Sequence, residues 1–358
     1  MAEHAAEYEW RGEGEESEIV LYAADESAFD RTLPAARLPG IQSPVYAAAS
    51  PEGFGWAAAS ATHVAPDLLS TPTRGLLLVA DTTAAPGVEP RDLSNRLLRD
   101  LPEAGSRLPH LNEAGVARIC EAGARAVAED GLIEEDDLRL LGTHPGDADA
   151  LGRRALAAGQ AGWEAGVGLD LRSVSGVLDE EGAERLGLQA GALVLIVRVD
   201  AGELGQLALG AHRERILGRV WSMDFGAEPD LPAAPADTGE AADLLTALYG
   251  AANFADARAA RAVWMLRLVL RELAGGLEIR GAWTVGGIEE RDRLLVHRKD
   301  LARVESGGAL VSGSYAAAGT GNMWASAPPF GISEEEDRWP WEEAGLLERW
   351  AELGLPEG

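Results

Sequence analysis

Lysine is all but missing from this chain: of its 31 basic Lys and Arg residues, only Lys299 is a lysine. Cysteine is nearly as scarce. The single thiol, Cys120, excludes an intramolecular disulfide, and its setting in VARICEAGARAV repeats at helical spacing, so a buried structural thiol is expected. No CxxC or HxxxH pair occurs. The six histidines are scattered, which excludes a zinc or metalloprotease motif built from sequence neighbours. Long apolar runs are also lacking: GLLLVA and GALVLIV fall far short of the ~18 residues that a membrane span needs. The opening MAEHAAEYEW has no basic-then-apolar signal pattern, so a cytoplasmic protein without membrane contact is expected. Finally, positive charge is short. With 59 acids against 31 bases the net charge is −28, a field that repels polyanions, so RNA binding is expected to be weak or local only. The same acid enrichment also fits a GC-rich or salt-adapted genome.

What is present is an ordinary globular composition, 46% hydrophobic and 25% charged. Residues 1–18 are acidic and aperiodic and read as a flexible leader. Short apolar runs closed by Gly, Pro or Thr follow (SEIVLYA, SPVYAAAS, RGLLLVADT), and LRSVSGVLD, GALVLIVRVD, LEIRGAWTV and RLLVHRKDLARV are patterned alike; all read as strands. Asn112 to Asp130 has amphipathic helical spacing closed by Gly131. Glu240 to Ala274 is the longest helical segment, with a bend expected at Gly250. Neither a repeat nor a polar linker divides the chain. A single α+β domain over 19–330 is expected, with mixed or antiparallel sheets flanked by helices. Residues 331–358 form a Trp-rich tail with helical spacing at Leu346, Leu347, Trp350 and Leu353. Four of the ten tryptophans, Trp324, Trp339, Trp341 and Trp350, lie after Ser314; the tail either caps the domain or docks a protein partner.

His297, Arg298, Lys299 and Arg303 bring several donors to one strand end. That grouping suits a phosphate clamp, because arginine forks onto two oxygens and lysine adds a compact charge. It equally suits a charged strand edge that blocks aggregation. GSYAAAGTGN lacks the GK[ST] ending of a nucleotide loop.

The order of landmarks resembles the RtcB family of RNA-splicing ligases. VHRKDLARV, Val296 to Val304, is similar to the family's VHRKGATRA, and Ser312-Gly313-Ser314 falls where the family has Pro-Gly-Ser-Met-Gly. AANFADARAA at Ala251 to Ala260 looks like AANFAWANR; DEEGAERLGLQAGALVLIV, RLPGIQ and GFGWAAA match in order, so the resemblance runs over about residues 35–320. It implies an RtcB-like fold and an ancestry in GTP- and manganese-dependent joining of a 2′,3′-cyclic phosphate or 3′-phosphate RNA end to a 5′-hydroxyl.

The ligands that the resemblance implies are missing. Asp81-Thr82-Thr83-Ala84 stands where the family has Asp-Ile-Gly-Cys-Gly, and Ala165-Gly166-Val167-Gly168 where it has Gly-Asn-His-Phe. Arg198 to Gly202 replaces His-Ser-Gly-Ser-Arg, and Thr284-Val285 replaces His-Asn. No His-Gly-Ala-Gly-Arg nucleophile follows Ser314. A manganese site needs several converging oxygen or imidazole donors, and guanylylation needs an imidazole that attacks and leaves. The resemblance therefore implies GTP and manganese for the family but no catalytic residue here. Asp81, Asp170, Asp200 and Glu290 remain as vestigial acids, either rebuilt around a hard cation or simply surface acids. The leading expectation is an RtcB-like pseudoenzyme, an accessory or regulatory protein or a binder of a phosphate-bearing ligand through His297, Arg298, Lys299, Arg303 and Ser314. The alternatives are an active RNA-end ligase or hydrolase with a remodelled site, and a structural interaction protein.

Overall fold

In a computed structural model of the chain, the residues described are 8–13, 18–23, 38–50, 53–80, 90–163, 167–173, 186–189, 192–222, 231–271, 276–291, 293–299, 301–304, 316–319 and 322–326, with Asp30, Leu33, Ala35 and Glu184 placed singly. The strands are β1 (Tyr8–Glu13), β2 (Glu18–Ala23), β3 (Ile41–Ser50), β4 (Gly53–Ser60), β5 (His63–Val64), β6 (Thr73–Ala80), β7 (Val167–Ser173), β8 (Leu193–Asp200), β9 (Ala234–Pro235), β10 (Leu277–Arg291), β11 (Leu294–Lys299), β12 (Leu301–Val304), β13 (Ala316–Gly319) and β14 (Asn322–Ser326). The helices are α1 (Pro90–Ser106), α2 (Glu113–Ala122), α3 (Ala124–Glu129), α4 (Ala148–Leu151), α5 (Arg153–Gly162), α6 (Gly202–Ser222) and α7 (Gly239–Leu270).

The main sheet runs β1-β2-β3-β4-β11-β10-β6-β8-β7, antiparallel except for the parallel pair β2/β3. This is the expected α+β class. The apolar runs form it because alternate residues of β6 and β8 (Leu76, Leu78, Leu195, Val197) enter one core with α7, where burying each side chain contributes roughly 1.5–3 kcal/mol. Among the described residues no helix is long and apolar enough to cross a membrane.

Three local expectations are corrected. Tyr8–Glu13, read as part of a flexible leader, is a strand paired antiparallel with β2, Tyr8 opposite Ala23. Its period-two alternation, Tyr8 and Trp10 against Glu9, Arg11 and Glu13, was masked by the surrounding acids. The helix expected over residues 112–130 breaks into α2 and α3 at Gly123, whose φ is +58° and whose missing Cβ would sit 2.9 Å from the Asn253 Oδ1. The break leaves Cys120 fully buried in the core, its thiol pushed up to about 12 chiefly by burial.

The long helix α7 does form, capped by Thr238, whose Oγ1 accepts the Ala241 N–H. It runs unbroken through Gly250. That glycine answers a close approach instead of a bend: a Cβ on Gly146 would lie 2.5 Å from the Gly250 nitrogen, and one on Gly250 would meet Leu151 at 3.0 Å. α7 is buried almost all round, as befits a central helix, and it carries Asn253, Asp256, Arg258 and Arg261 into that interior. The tail over 331–358 lies outside the described residues.

Candidate functional site

The basic stretch on β11 is divided by strand geometry, since successive side chains leave opposite faces of a sheet. His297 is wholly buried. The Ala65 N–H donates to its Nε2 at 3.1 Å, and its Nδ1 lies 3.0 Å from the Leu295 carbonyl oxygen. Those partners define a neutral ring with its proton on Nδ1, and burial lowers its pKa to about 4. Lys299 pairs in register with Trp56 and holds its ammonium 4.9 Å from that ring's centroid, a cation–π contact. Arg298 points the other way, where its Nη1 donates to the Thr284 carbonyl at 3.2 Å and its Nη2 to Glu289. Arg303 stands on β12 opposite Trp324. Ser314 lies outside the described residues. The three adjacent donors of the predicted clamp are thus not assembled on one face: His297 serves the core, Lys299 serves Trp56, and Arg298 lines a cavity.

That cavity, about 680 Å³, lies between the ends of β6, β10 and β11 on one side and α7 on the other, with the Arg139–Pro145 segment forming its third wall. At its inner end Arg74 grips Asp256 with two donors, Nε to Oδ1 and Nη2 to Oδ2, the latter at 2.9 Å. Asp256 is fully buried; burial opposes its charge, but Arg74 and His144 outweigh that and hold its pKa below the ordinary carboxylate value. Burial likewise opposes the charge on Arg74, and Asp256 more than compensates. Both groups are charged. His144 completes the set, its Nε2 3.6 Å from Asp256 and its ring stacked on Tyr249 with centroids 5.8 Å apart. Burial, reinforced by Glu290 and Glu289, raises the Tyr249 pKa, so its phenol stays protonated.

Asn253, one turn before Asp256 on α7, anchors this wall. Its Oδ1 accepts the His144 N–H at 2.8 Å, while its Nδ2 donates to the carbonyls of His144 at 2.9 Å and Cys120 at 2.8 Å. One amide therefore ties the His144 turn to the end of α2, which is why the AANFADARAA run carries an asparagine in an apolar helix.

Of the four vestigial acids, the three on described strands sit at separate places. Asp81 lies outside the described residues. Asp170 pairs with Ile196 in the middle of β7. Asp200 caps the start of α6 by accepting the Gly202 N–H at 2.8 Å and receives Arg258 at 3.2 Å. Burial foremost lowers the pKa of Arg258. Only Glu290 lines the cavity. Among the described residues no group of three His, Cys, Asp or Glu side chains is placed to hold a metal ion.

Sequence reasoning missed Arg74, His144, Asn253 and Asp256. The one available signal was polar residues, Asn253 and Asp256, at helical spacing inside a stretch otherwise built of alanine and bulky apolar residues. No family model matches the chain, and no curated protein matches it.

Proposed function

We propose that the chain is a divergent RtcB-like pseudoenzyme, cytoplasmic, in which the metal centre has been dismantled and the cavity binds a small ligand without joining RNA ends. One observation carries this reading. Two positions where the resemblance puts imidazoles fall in one row, Val167 and Thr284, joined through Val199 and Arg74 across β7, β8, β6 and β10, while the third, Arg198, pairs one residue away with Gly168 and Gly75. The row has valine and threonine where metal-binding rings belong, and its central member, Arg74, supplies a permanent cation already neutralised by Asp256. A guanidinium bonded to a buried carboxylate takes up the charge that would otherwise attract a divalent ion. Arg298 supports ligand binding over a purely structural role, because among the described side chains His297, Arg298 and Lys299 it is the one that reaches the cavity.

The test is a joining assay with 3′-phosphate and 5′-hydroxyl RNA in the presence of GTP and manganese. The chain is expected to give no joined product and no protein-bound guanylate. Either product would refute the proposal.

A further inference from the structure

We infer that His144 is a general base, oriented by Asp256, through which the cavity activates water to hydrolyse a small uncharged carboxylic ester. The inference rests on reading the cavity as a ligand site, and it names what that site does to its ligand.

The imidazole has one end tied and one end free. Its Nε2 lies 3.6 Å from the Asp256 Oδ2, and that carboxylate stays charged. An acceptor on that side fixes the ring proton on Nε2 and leaves the lone pair on Nδ1. Among the described residues Nδ1 has no hydrogen-bond partner, while the side chain is 32% exposed and lines the cavity. A contact of this length between base and carboxylate tightens when substrate fills the site. The ring is also held from two other directions. Asn253 grips the backbone N–H and carbonyl of His144, and Tyr249 stacks on the imidazole with 7° between the planes. Neutralising Asp256 does not explain a histidine here, since Arg74 already engages both carboxylate oxygens.

Water is the nucleophile that this setting leaves. Neither serine nor cysteine is among the described residues bordering the cavity, the Thr73 hydroxyl donates to the Thr71 carbonyl at 2.9 Å, and the Tyr249 phenol stays protonated. As the water oxygen bonds to the ester carbonyl carbon, its proton passes to the His144 Nδ1. The carbonyl electron pair moves onto its oxygen beside Arg74, whose Nη1 is not engaged by Asp256. When the carbonyl re-forms, the bond to the alcohol oxygen breaks and that oxygen takes the proton back from His144. A carboxylic acid and an alcohol leave, and the ring is restored. A phosphodiester brings a standing negative charge against Asp256, Glu289 and Glu290, whereas the charge of an ester arises only in the transition state.

The full chain incubated with p-nitrophenyl acetate and p-nitrophenyl butyrate tests this, with bis-p-nitrophenyl phosphate as the contrast. At least one carboxylic ester is expected to turn over, and His144→Gln to lower its kcat/KM about a hundredfold. That variant is expected to keep its near-ultraviolet circular dichroism, because Asn253 holds only backbone atoms of residue 144. In the native chain, carbethoxylation by diethyl pyrocarbonate is expected to abolish turnover in step with modification of His144, followed by peptide mass spectrometry. The inference is overturned if neither ester is turned over faster than by His144→Gln, if turnover survives modification of His144, if an acyl-protein adduct accumulates, or if the phosphodiester is the preferred substrate. Failure here leaves the absence of RNA joining standing, whereas RNA joining would refute the pseudoenzyme reading whatever the esters do.

Discussion

Two buried polar groups of this protein invite comparison, His297 in β11 and Asp256 in α7. Both are almost wholly removed from water and both are hydrogen-bonded, yet Asp256 lines the cavity described above and His297 does not. His297 has each ring nitrogen matched by one backbone group, stays neutral, and joins β11 to the Ala65 turn. Asp256 stays charged, needs Arg74 to do so, and shares its cavity with His144 and Tyr249. The lesson is that burial of a polar side chain marks a structural post when its partners close around it. It marks a candidate site when they leave a void.

The comparison is sharpest if Asp256 is removed. Asp256→Ala strands the Arg74 charge in the interior, and a loss of about 3–5 kcal/mol in unfolding free energy is expected from urea denaturation. A change below about 1 kcal/mol would show that the pair is not desolvated.

For His297 the contrast is drawn by pH. Its pKa falls from 6.5 unfolded to about 4 folded, so the unfolded chain binds the extra proton between those values. Its contribution is complete above pH 6.5 and is lost as pH falls toward 4, amounting to about 3 kcal/mol. Urea denaturation across this range should show that slope in the native chain and a shallower one in His297→Gln. Equal slopes would contradict the neutral, satisfied ring.

Asn253→Ala should cost about 1–3 kcal/mol, with faster amide exchange at His144, whose N–H it accepts. Unchanged exchange there would mean that the cavity wall is held by other contacts. The smallest effect is expected at Lys299. Lys299→Met should lose about 0.5–1 kcal/mol of cation–π stabilisation, and Lys299→Arg should retain most of it, because a guanidinium also packs on an indole face. Thermal denaturation of both variants measures this.

Much of the fold was legible in the sequence, and little of the site. RGLLLVADT and GALVLIVRVD announced strands because buried strands read as apolar runs, and α7 announced itself by its spacing. The sheet order was not readable, since β4 with β11, β10 with β6 and β6 with β8 pair across long stretches of chain. The site failed for the same reason: Arg74 and Asp256 lie 182 residues apart, and Asn253 reaches the His144 turn across 109. Adjacency misled in the opposite sense at His297-Arg298-Lys299, where neighbours in sequence are directed to opposite faces of the strand. Gly250 shows the limit of reading glycine as a bend, because there the missing Cβ makes room for the Leu151 side chain and the helix runs straight on.

In the proposed reading the internal Arg74–Asp256 pair stands in the place of a metal centre. The most direct measurement is manganese titration followed by electron paramagnetic resonance, which reports the free ion. All added manganese is expected to remain free. Stoichiometric tight binding that disappears in Asp256→Asn would contradict the account.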